Sequence, residues 1–215
     1  MKTILLKDAA ALIPDGASVM IGGFMGVGTP ERLVDELVRQ GKRNLTVIAN
    51  DNALPGVGIG KLISAGAVKK TIASHIGLNP ETQKKMLAGE LEVDLVPQGT
   101  LIERIRAGGF GLGGVLTPTG VGTVVERGKQ RIELGGKPYL LETALRADFA
   151  LVEAFLADYI GNLYYALTAR NFNPVMAMAA NTVIVEAENI VPVGVIAPDN
   201  VITPAPVVDY ILSHA

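Results

Sequence analysis

The chain has 215 residues, of which 49% are hydrophobic and 19% charged, with 19 basic against 21 acidic residues and no cysteine. This composition excludes intrinsic disorder, disulfide bonds, thiolate metal sites and cysteine nucleophiles, and the scattered basic residues argue against a nucleic-acid partner. Charged residues usually make up about a quarter of a globular domain, so their shortage predicts an oligomer that covers part of the apolar surface.

The chain begins with a short apolar stretch that is broken by Lys7 and Asp8. It has neither the apolar core of a secretory signal nor the arginine-rich character of a transit peptide. No window approaches the roughly 20 apolar residues that a membrane span requires. We therefore predict a cytoplasmic protein without a membrane partner.

The first predicted unit is a buried strand, Val19–Ile21, followed by a glycine-rich loop and a helix over 30–40. Thr29 is placed to cap this helix, and Pro30 suits its first position. An apolar stripe at helical spacing and a terminating Gly41 complete the pattern.

The same unit then repeats along the first half of the chain. Strands are predicted over 45–49, 71–74 and 91–96, and helices over 79–89 and 100–108. Asn79 opens the first of these helices, and Thr100 with Glu103 forms a capping box for the second. Strand–helix alternation of this kind predicts a mostly parallel sheet with helices on its faces.

The second half is rich in glycine and proline. Residues 131–134 and 137–141 flank the pair Gly135-Gly136, which predicts a β-hairpin, and 149–152 and 183–185 are predicted as later strands. The whole is predicted as a single α/β domain over residues 1–215. Its sheet is open and mostly parallel with flanking helices, and its second half carries a glycine-rich irregular and hairpin insertion.

Ligands of open parallel sheets bind outside the carboxyl ends of the strands. The loop that follows Val19–Ile21 is therefore the first candidate site, and its residues are Gly22, Gly23, Phe24, Met25, Gly26, Val27 and Gly28. Glycines allow a close approach of the backbone, and free N–H groups at a helix start attract a phosphate or carboxylate. A tight turn without a ligand explains the same glycines equally well.

Two nucleotide-binding motifs are poor matches to this loop. A Walker loop is excluded because no Gly-Lys-Ser/Thr follows. The dinucleotide fingerprint fails at its third glycine, where Glu31 stands, although Asp51 lies near the position of the ribose-binding acid. A dinucleotide-binding oxidoreductase domain stays open as an alternative.

Polar residues follow the other predicted strands. Asn50, Asp51 and Asn52 follow one strand, His75 another and Gln98 a third. Amides here can orient a carbonyl or carboxylate, although asparagine and aspartate are also common turn formers. His75 has no evident carboxylate to orient it, and with His214 it is one of only two histidines, too few for a histidine-rich metal site. The pattern contains a binding edge without a recognisable catalytic constellation or metal site.

Several segments of the chain carry a family resemblance, and they are residues 15–16, 19–24, 28–30, 48–51, 89–92, 96–101, 103–109, 117–123 and 169–173. These segments resemble the first, or alpha, subunit of the family I coenzyme A-transferases. Within that family the chain is most similar to acetate or butyrate–acetoacetate CoA-transferase alpha subunits, a subgroup that residues 74–82 support.

The resemblance implies a ping-pong exchange of coenzyme A between acetoacetyl-CoA and a short-chain carboxylate such as acetate or butyrate. A glutamate of the second, beta, subunit attacks the acyl-CoA, and an acyl-glutamyl anhydride and then a glutamyl-CoA thioester follow. This chain lacks the Ser-Glu-Asn-Gly-like loop that contains that glutamate, and the most similar pair of residues is Glu188-Asn189. No catalytic residue is therefore expected in this chain.

The resemblance also assigns partners and site residues. It implies a beta subunit, in an assembly of two alpha and two beta chains, and coenzyme A as a substrate rather than a permanent cofactor. Gly22–Gly28 would be a CoA-binding loop or a turn at the subunit interface, and Asn50 and Gln98 would face the partner's glutamate. A non-catalytic acyl-CoA-sensing module is a further alternative.

Overall fold

The computed structural model describes residues 2–213, so His214 lies outside the described residues. The strands in chain order are β1 (Lys2–Ile4), β2 (Ser18–Ile21), β3 (Leu45–Asp51), β4 (Val68–His75), β5 (Glu92–Leu95), β6 (Gly114–Thr117), β7 (Arg131–Leu134), β8 (Lys137–Thr143), β9 (Ala147–Asp158), β10 (Leu163–Tyr164), β11 (Ala180–Val191) and β12 (Tyr210–Leu212). The helices are α1 (Leu6–Ala11), α2 (Glu31–Arg39), α3 (Ile59–Ser64), α4 (Pro80–Leu87), α5 (Gln98–Gly109) and α6 (Asn173–Met178).

The main sheet has nine strands in the order β1-β12-β11-β9-β2-β3-β4-β5, with β10 paired to β9. Its neighbours along this path are parallel, and only the β9–β10 pair is antiparallel. The predicted mostly parallel α/β sheet is thus confirmed. The chain leaves β2 toward β5 in one direction and reaches β9 and β11 in the other, so the switch point of the topology lies between β2 and β9.

The glycine-rich insertion folds into a three-stranded antiparallel sheet in the order β6-β8-β7. The predicted hairpin is confirmed as β7 and β8, and both turn residues, Gly135 and Gly136, have positive φ. This is the backbone that a tight two-residue hairpin turn requires.

Two apolar layers cover the faces of the main sheet. One contains Leu101 and Ile105 of α5 and Met176 of α6, packed on β9 and β11. The other contains Leu33 and Leu37 of α2. Successive strand residues point to opposite faces, so the buried strand residues divide between the two layers.

Two of the predicted helix caps are wrong. Thr29 makes no cap hydrogen bond, because Pro30 is the capping position of α2. The Thr100–Glu103 capping box also fails, since α5 already begins at Gln98 and Thr100 lies within its first turn. The Asn79 cap is confirmed, with its Oδ1 accepting the backbone N–H of Thr82 at 3.0 Å.

Strands β9 and β11 are the largest difference from the predicted elements. The sequence predicts three or four residues for each, whereas each has twelve. The extensions carry glutamates such as Glu153 and Glu186 on otherwise apolar strands. These glutamates interrupt the apolar runs from which strands are predicted, so the predicted strands are too short.

Candidate functional site

The carboxyl ends of β2, β3, β4 and β5 bring the predicted site residues to one edge of the main sheet. The first loop leaves the sheet at the switch point, where the Gly22 N–H bonds to Leu151 O of β9 at 3.0 Å. Asp51 of β3 pairs in register with His75 of β4, and Gln98 begins the helix that follows β5. The structure therefore gathers a loop, amides and a histidine at one edge.

The loop over 22–28 is a tight, well-bonded turn. Phe24 and Val27 exchange two backbone hydrogen bonds of 3.0 Å, and their side chains point outward with that of Met25. Met25 has a φ of 52°, which is uncommon for a residue with a side chain. Both carboxylate oxygens of Asp51 accept its N–H, at 3.1 and 3.2 Å, and thereby hold the tip in place.

The loop glycines are required by contacts within the chain. A Cβ on Gly22 would overlap the side chain of Asn173, and one on Gly28 would overlap the backbone of Ala169. Asn173 Nδ2 donates to Gly28 O at 2.8 Å, and Asn171 Oδ1 accepts from Gly23 N at 3.3 Å. The segment 169–173 thus forms the wall of the loop, a role that the sequence analysis did not assign to it.

The N-terminus of α2 is occupied by the chain itself. The carboxylate of Glu186 accepts the N–H groups of Arg32 at 3.2 Å and Leu33 at 3.0 Å. Burial raises the pKa of Glu186, while these two hydrogen bonds oppose that shift. The expectation of free N–H groups that await an external anion is therefore wrong for these two donors.

Asn50 and Gln98 meet at the edge. Asn50 Oδ1 accepts from Gln98 Nε2 at 2.8 Å and from Ser74 Oγ at 3.1 Å. Within residues 2–213, Asn50 Nδ2 has no hydrogen-bond acceptor, so it remains a donor for a guest. An amide donor fixed by two neighbours is suited to stabilise a carbonyl or carboxylate oxygen.

The polar residues that follow Asn50 of β3 make hydrogen bonds within the chain. Asn52 is buried and its Oδ1 accepts from Thr71 Oγ1 at 2.9 Å. Asp51 is buried beneath the loop tip, and burial raises the pKa of its carboxyl group against the N–H bonds from Met25 and Ala53. His75 is exposed beside it, so the structure supplies a neighbouring carboxylate that the sequence did not suggest.

Across 2–213, no group of three or more histidine, aspartate or glutamate side chains is arranged to hold a metal ion. No helix in that range is long and apolar enough to cross a membrane.

Comparisons with known proteins point to one family. The family model for coenzyme A transferase matches residues 3–214. The chain is 57% identical to the acetate CoA-transferase subunit alpha of Escherichia coli K12 over 98% of this chain and 96% of that protein. It is 53% identical to the acetoacetyl-CoA:acetate/butyrate CoA transferase alpha subunit of Clostridium acetobutylicum, over 99% of this chain and 98% of that protein.

A solved structure shows the same fold. An acyl-CoA transferase from Escherichia coli O157:H7, in its thioester complex with CoA, superposes with a TM-score of 0.87 at 23% identity. The match covers 98% of this chain but 46% of that polypeptide, so this chain corresponds to somewhat less than half of it. Neither the oxidoreductase nor the sensing-module alternative is supported by these similarities.

Proposed function

The chain belongs to the coenzyme A transferase family, and we propose that it is the alpha subunit of a two-subunit CoA-transferase. In this proposal the enzyme moves coenzyme A between acetoacetyl-CoA and a short-chain carboxylate such as acetate or butyrate. The names of the two relatives that match almost their whole length support this substrate class. Acyl-CoA enters as a substrate, and the cytoplasmic location and the single domain over residues 1–215 remain part of the proposal.

The observation that carries the proposal is the hydrogen-bonded pair of Asn50 and Gln98 beside the glycine loop. Its free Nδ2 donor suits a substrate oxygen that gains negative charge during acyl transfer. The carboxylates of Asp51, beneath the loop tip, and Glu186, at the start of α2, already bind backbone N–H groups. This arrangement supports a binding half whose nucleophile comes from another chain.

The proposed chemistry is covalent catalysis by a glutamate of the partner subunit. A glutamate carboxylate of the beta subunit attacks the acyl carbonyl of acetoacetyl-CoA, and the tetrahedral intermediate expels the CoA thiolate to give an acyl-glutamyl anhydride. The thiolate then attacks the glutamyl carbonyl and releases acetoacetate, leaving a glutamyl-CoA thioester. Acetate reverses these steps, so that acetyl-CoA leaves and the glutamate is restored.

Asn50 and Gln98 are proposed to face that glutamate across the subunit interface. Their donors would stabilise the oxyanions that form at each carbonyl attack, where preorganised hydrogen bonds are most effective. The tip of the Gly22–Gly28 loop is proposed to contact CoA through its backbone and its three outward side chains. The other contacts of the loop are made within the chain. They support a role in shaping the wall of the pocket more than a role in binding a phosphate group.

A reconstitution assay tests the proposal. Loss of acetoacetyl-CoA in the presence of acetate is followed with this chain alone, with its beta-type partner chain alone, and with both. We expect turnover only in the mixture. Turnover by this chain alone would show that one of its own carboxylates is the nucleophile, and a mixture that binds acyl-CoA without turnover would identify a sensing module.

A further inference from the structure

Glu153 is a buried acid that the proposed chemistry does not use. It lies on β9 at the switch point of the sheet, and its side chain is 8% exposed. Within residues 2–213, neither carboxyl oxygen has a hydrogen-bond partner. A buried ionised carboxylate without a hydrogen-bond donor or a cation is strongly disfavoured. The surroundings of Glu153 therefore favour its protonated form.

The groups around Glu153 strengthen this requirement. Glu186 is its register partner on β11, and Glu188 lies two residues further along the same face. These three acids and Arg32 line a cavity of about 320 Å³ with Ala187.

The remaining charged neighbours do not neutralise Glu153. Across the described chain, Arg32 makes its side-chain hydrogen bond to Ser213 O, at 3.4 Å, and forms no ion pair with Glu153. Glu31 of α2 pairs with Lys61, and the nearby Tyr165 hydroxyl bonds to Thr203. Desolvation, followed by the charges of Glu188 and Glu186, raises the pKa of Glu153 to about 7.

Glu153 is connected to the end of the glycine loop that leads into α2. Its backbone N–H donates to Asn173 Oδ1 at 3.1 Å, and Asn173 Nδ2 donates to Gly28 O at 2.8 Å. Its register partner Glu186 caps α2, the helix into which the loop leads. A change of charge at Glu153 therefore acts on the wall of the loop and on the cap of the following helix.

We propose that Glu153 is a positioning residue whose proton holds the Gly22–Gly28 loop in its tight conformation. With the proton in place, Glu153 is neutral and its O–H can be shared with Glu188, while Glu186 stays ionised at the α2 cap. When the proton leaves, three carboxylates line one cavity, in which Arg32 is the cationic lining residue. Repulsion then weakens the Glu186 cap and the Asn173 bridge, and the loop loosens.

The expected effect on catalysis rests on the proposed function, since it assumes that the loop contacts CoA. The expected loosening of the loop does not depend on that assumption. Raising the pH through about 7 is expected to loosen the loop reversibly, with at most about a tenfold change per pH unit because one proton is linked.

Hydrogen exchange tests the structural part. Protection of segments 22–28 and 31–34 is measured in the full chain assembled with its partner between pH 6 and 8.5, after correction for intrinsic exchange. Wild type should lose protection above pH 7, about tenfold by pH 8. Glu153→Gln, which is neutral at every pH, should keep it. The exposed Glu90→Gln variant is the matched control and should follow wild type.

Steady-state kinetics test the functional part on the same samples. For wild type, KM for acetoacetyl-CoA should rise above pH 7 more than kcat changes, and Glu153→Gln should remove that rise. Should Glu153→Gln fail to fold, Glu188→Gln replaces it, because loss of that neighbouring charge should move the midpoint to lower pH.

The outcomes separate the two proposals. Protection that is independent of pH in wild type, or identical pH profiles in wild type and Glu153→Gln, would overturn the role of Glu153. Protection that changes as expected in an assembly without transferase turnover would leave this role intact and overturn the proposed function.

Discussion

Glu186 and Leu33 form the contact that fixes the start of α2: the Glu186 carboxylate accepts the Leu33 N–H at 3.0 Å across 153 residues of sequence. A helix N-terminus behind a glycine loop is usually interpreted as an anion site. Here the anion belongs to the chain, and it ties a strand of the second half to the first βα unit. The loop therefore depends on the second half of the chain for its position.

Glu186→Ala should destabilise the chain by about 1–2 kcal/mol, because it removes the acceptor for two helix N–H groups. Urea unfolding at pH 6 measures the change, at a pH where Glu153 keeps its proton. Glu90→Ala, on an exposed side chain, is the control and should stay within about 0.5 kcal/mol of wild type. Equal stability of the two variants would contradict the capping role.

Gly22→Ala should cost about 2–4 kcal/mol of unfolding free energy, because the added Cβ overlaps Asn173 and displaces the bridge to Gly28. Gly99 offers a matched control, since its Cβ would meet nothing within 4 Å and it lies in helix α5. Gly99→Ala should stabilise the chain by about 0.5–1 kcal/mol. An unchanged free energy of unfolding for Gly22→Ala would show that the loop has space for a Cβ at residue 22, contrary to the structure.

Gln98→Ala should lower kcat of the reconstituted enzyme by about 10- to 1000-fold while leaving stability unchanged, because the exposed amide orients Asn50 and adds a donor at the edge. Steady-state kinetics with acetoacetyl-CoA and acetate measure the effect. Glu90→Ala is the control, on an exposed residue that precedes the opposite, amino end of β5. An unchanged kcat for Gln98→Ala would remove this residue from the site.

Acid should destabilise the chain partly through Glu36. Hydrogen bonds from the Arg39 guanidinium, both 2.6 Å long, lower the pKa of Glu36 to about 2. An acid whose folded pKa is lowered contributes stability above its unfolded pKa and loses it as the pH falls toward the folded pKa. Between about pH 4.5 and 2, Glu36→Gln should therefore flatten the dependence of the urea midpoint on pH. A slope identical to that of wild type would refute the contribution.

The edge itself was predictable from local sequence. Asn50 and Gln98 stand 48 residues apart, yet both follow strands of one parallel sheet, and the carboxyl ends of such strands meet at one edge. Strand–helix alternation was sufficient to place them together. It was also sufficient to locate the loop at a helix start.

The supports of the loop were not predictable in this way. Asn173, Glu153 and Glu186 come from the second half, and their contacts depend on β9 lying beside β2, a long-range pairing that no local pattern specifies. Thr29 has the right residue type for a cap, but the half-buried carboxylate of Glu186 takes its place. Sequence patterns thus reveal the positions of the site, whereas topology decides which groups remain free.

We propose that this chain binds and orients the substrate while its partner carries the nucleophile. The location of the covalent intermediate decides this, and intact-mass measurement of both chains after incubation with acetoacetyl-CoA, with and without borohydride to reduce a thioester, reveals it. We expect a CoA adduct on the beta chain only, which borohydride removes, and an unmodified alpha chain. A CoA adduct on this chain would refute the proposal and place the nucleophile among its own carboxylates.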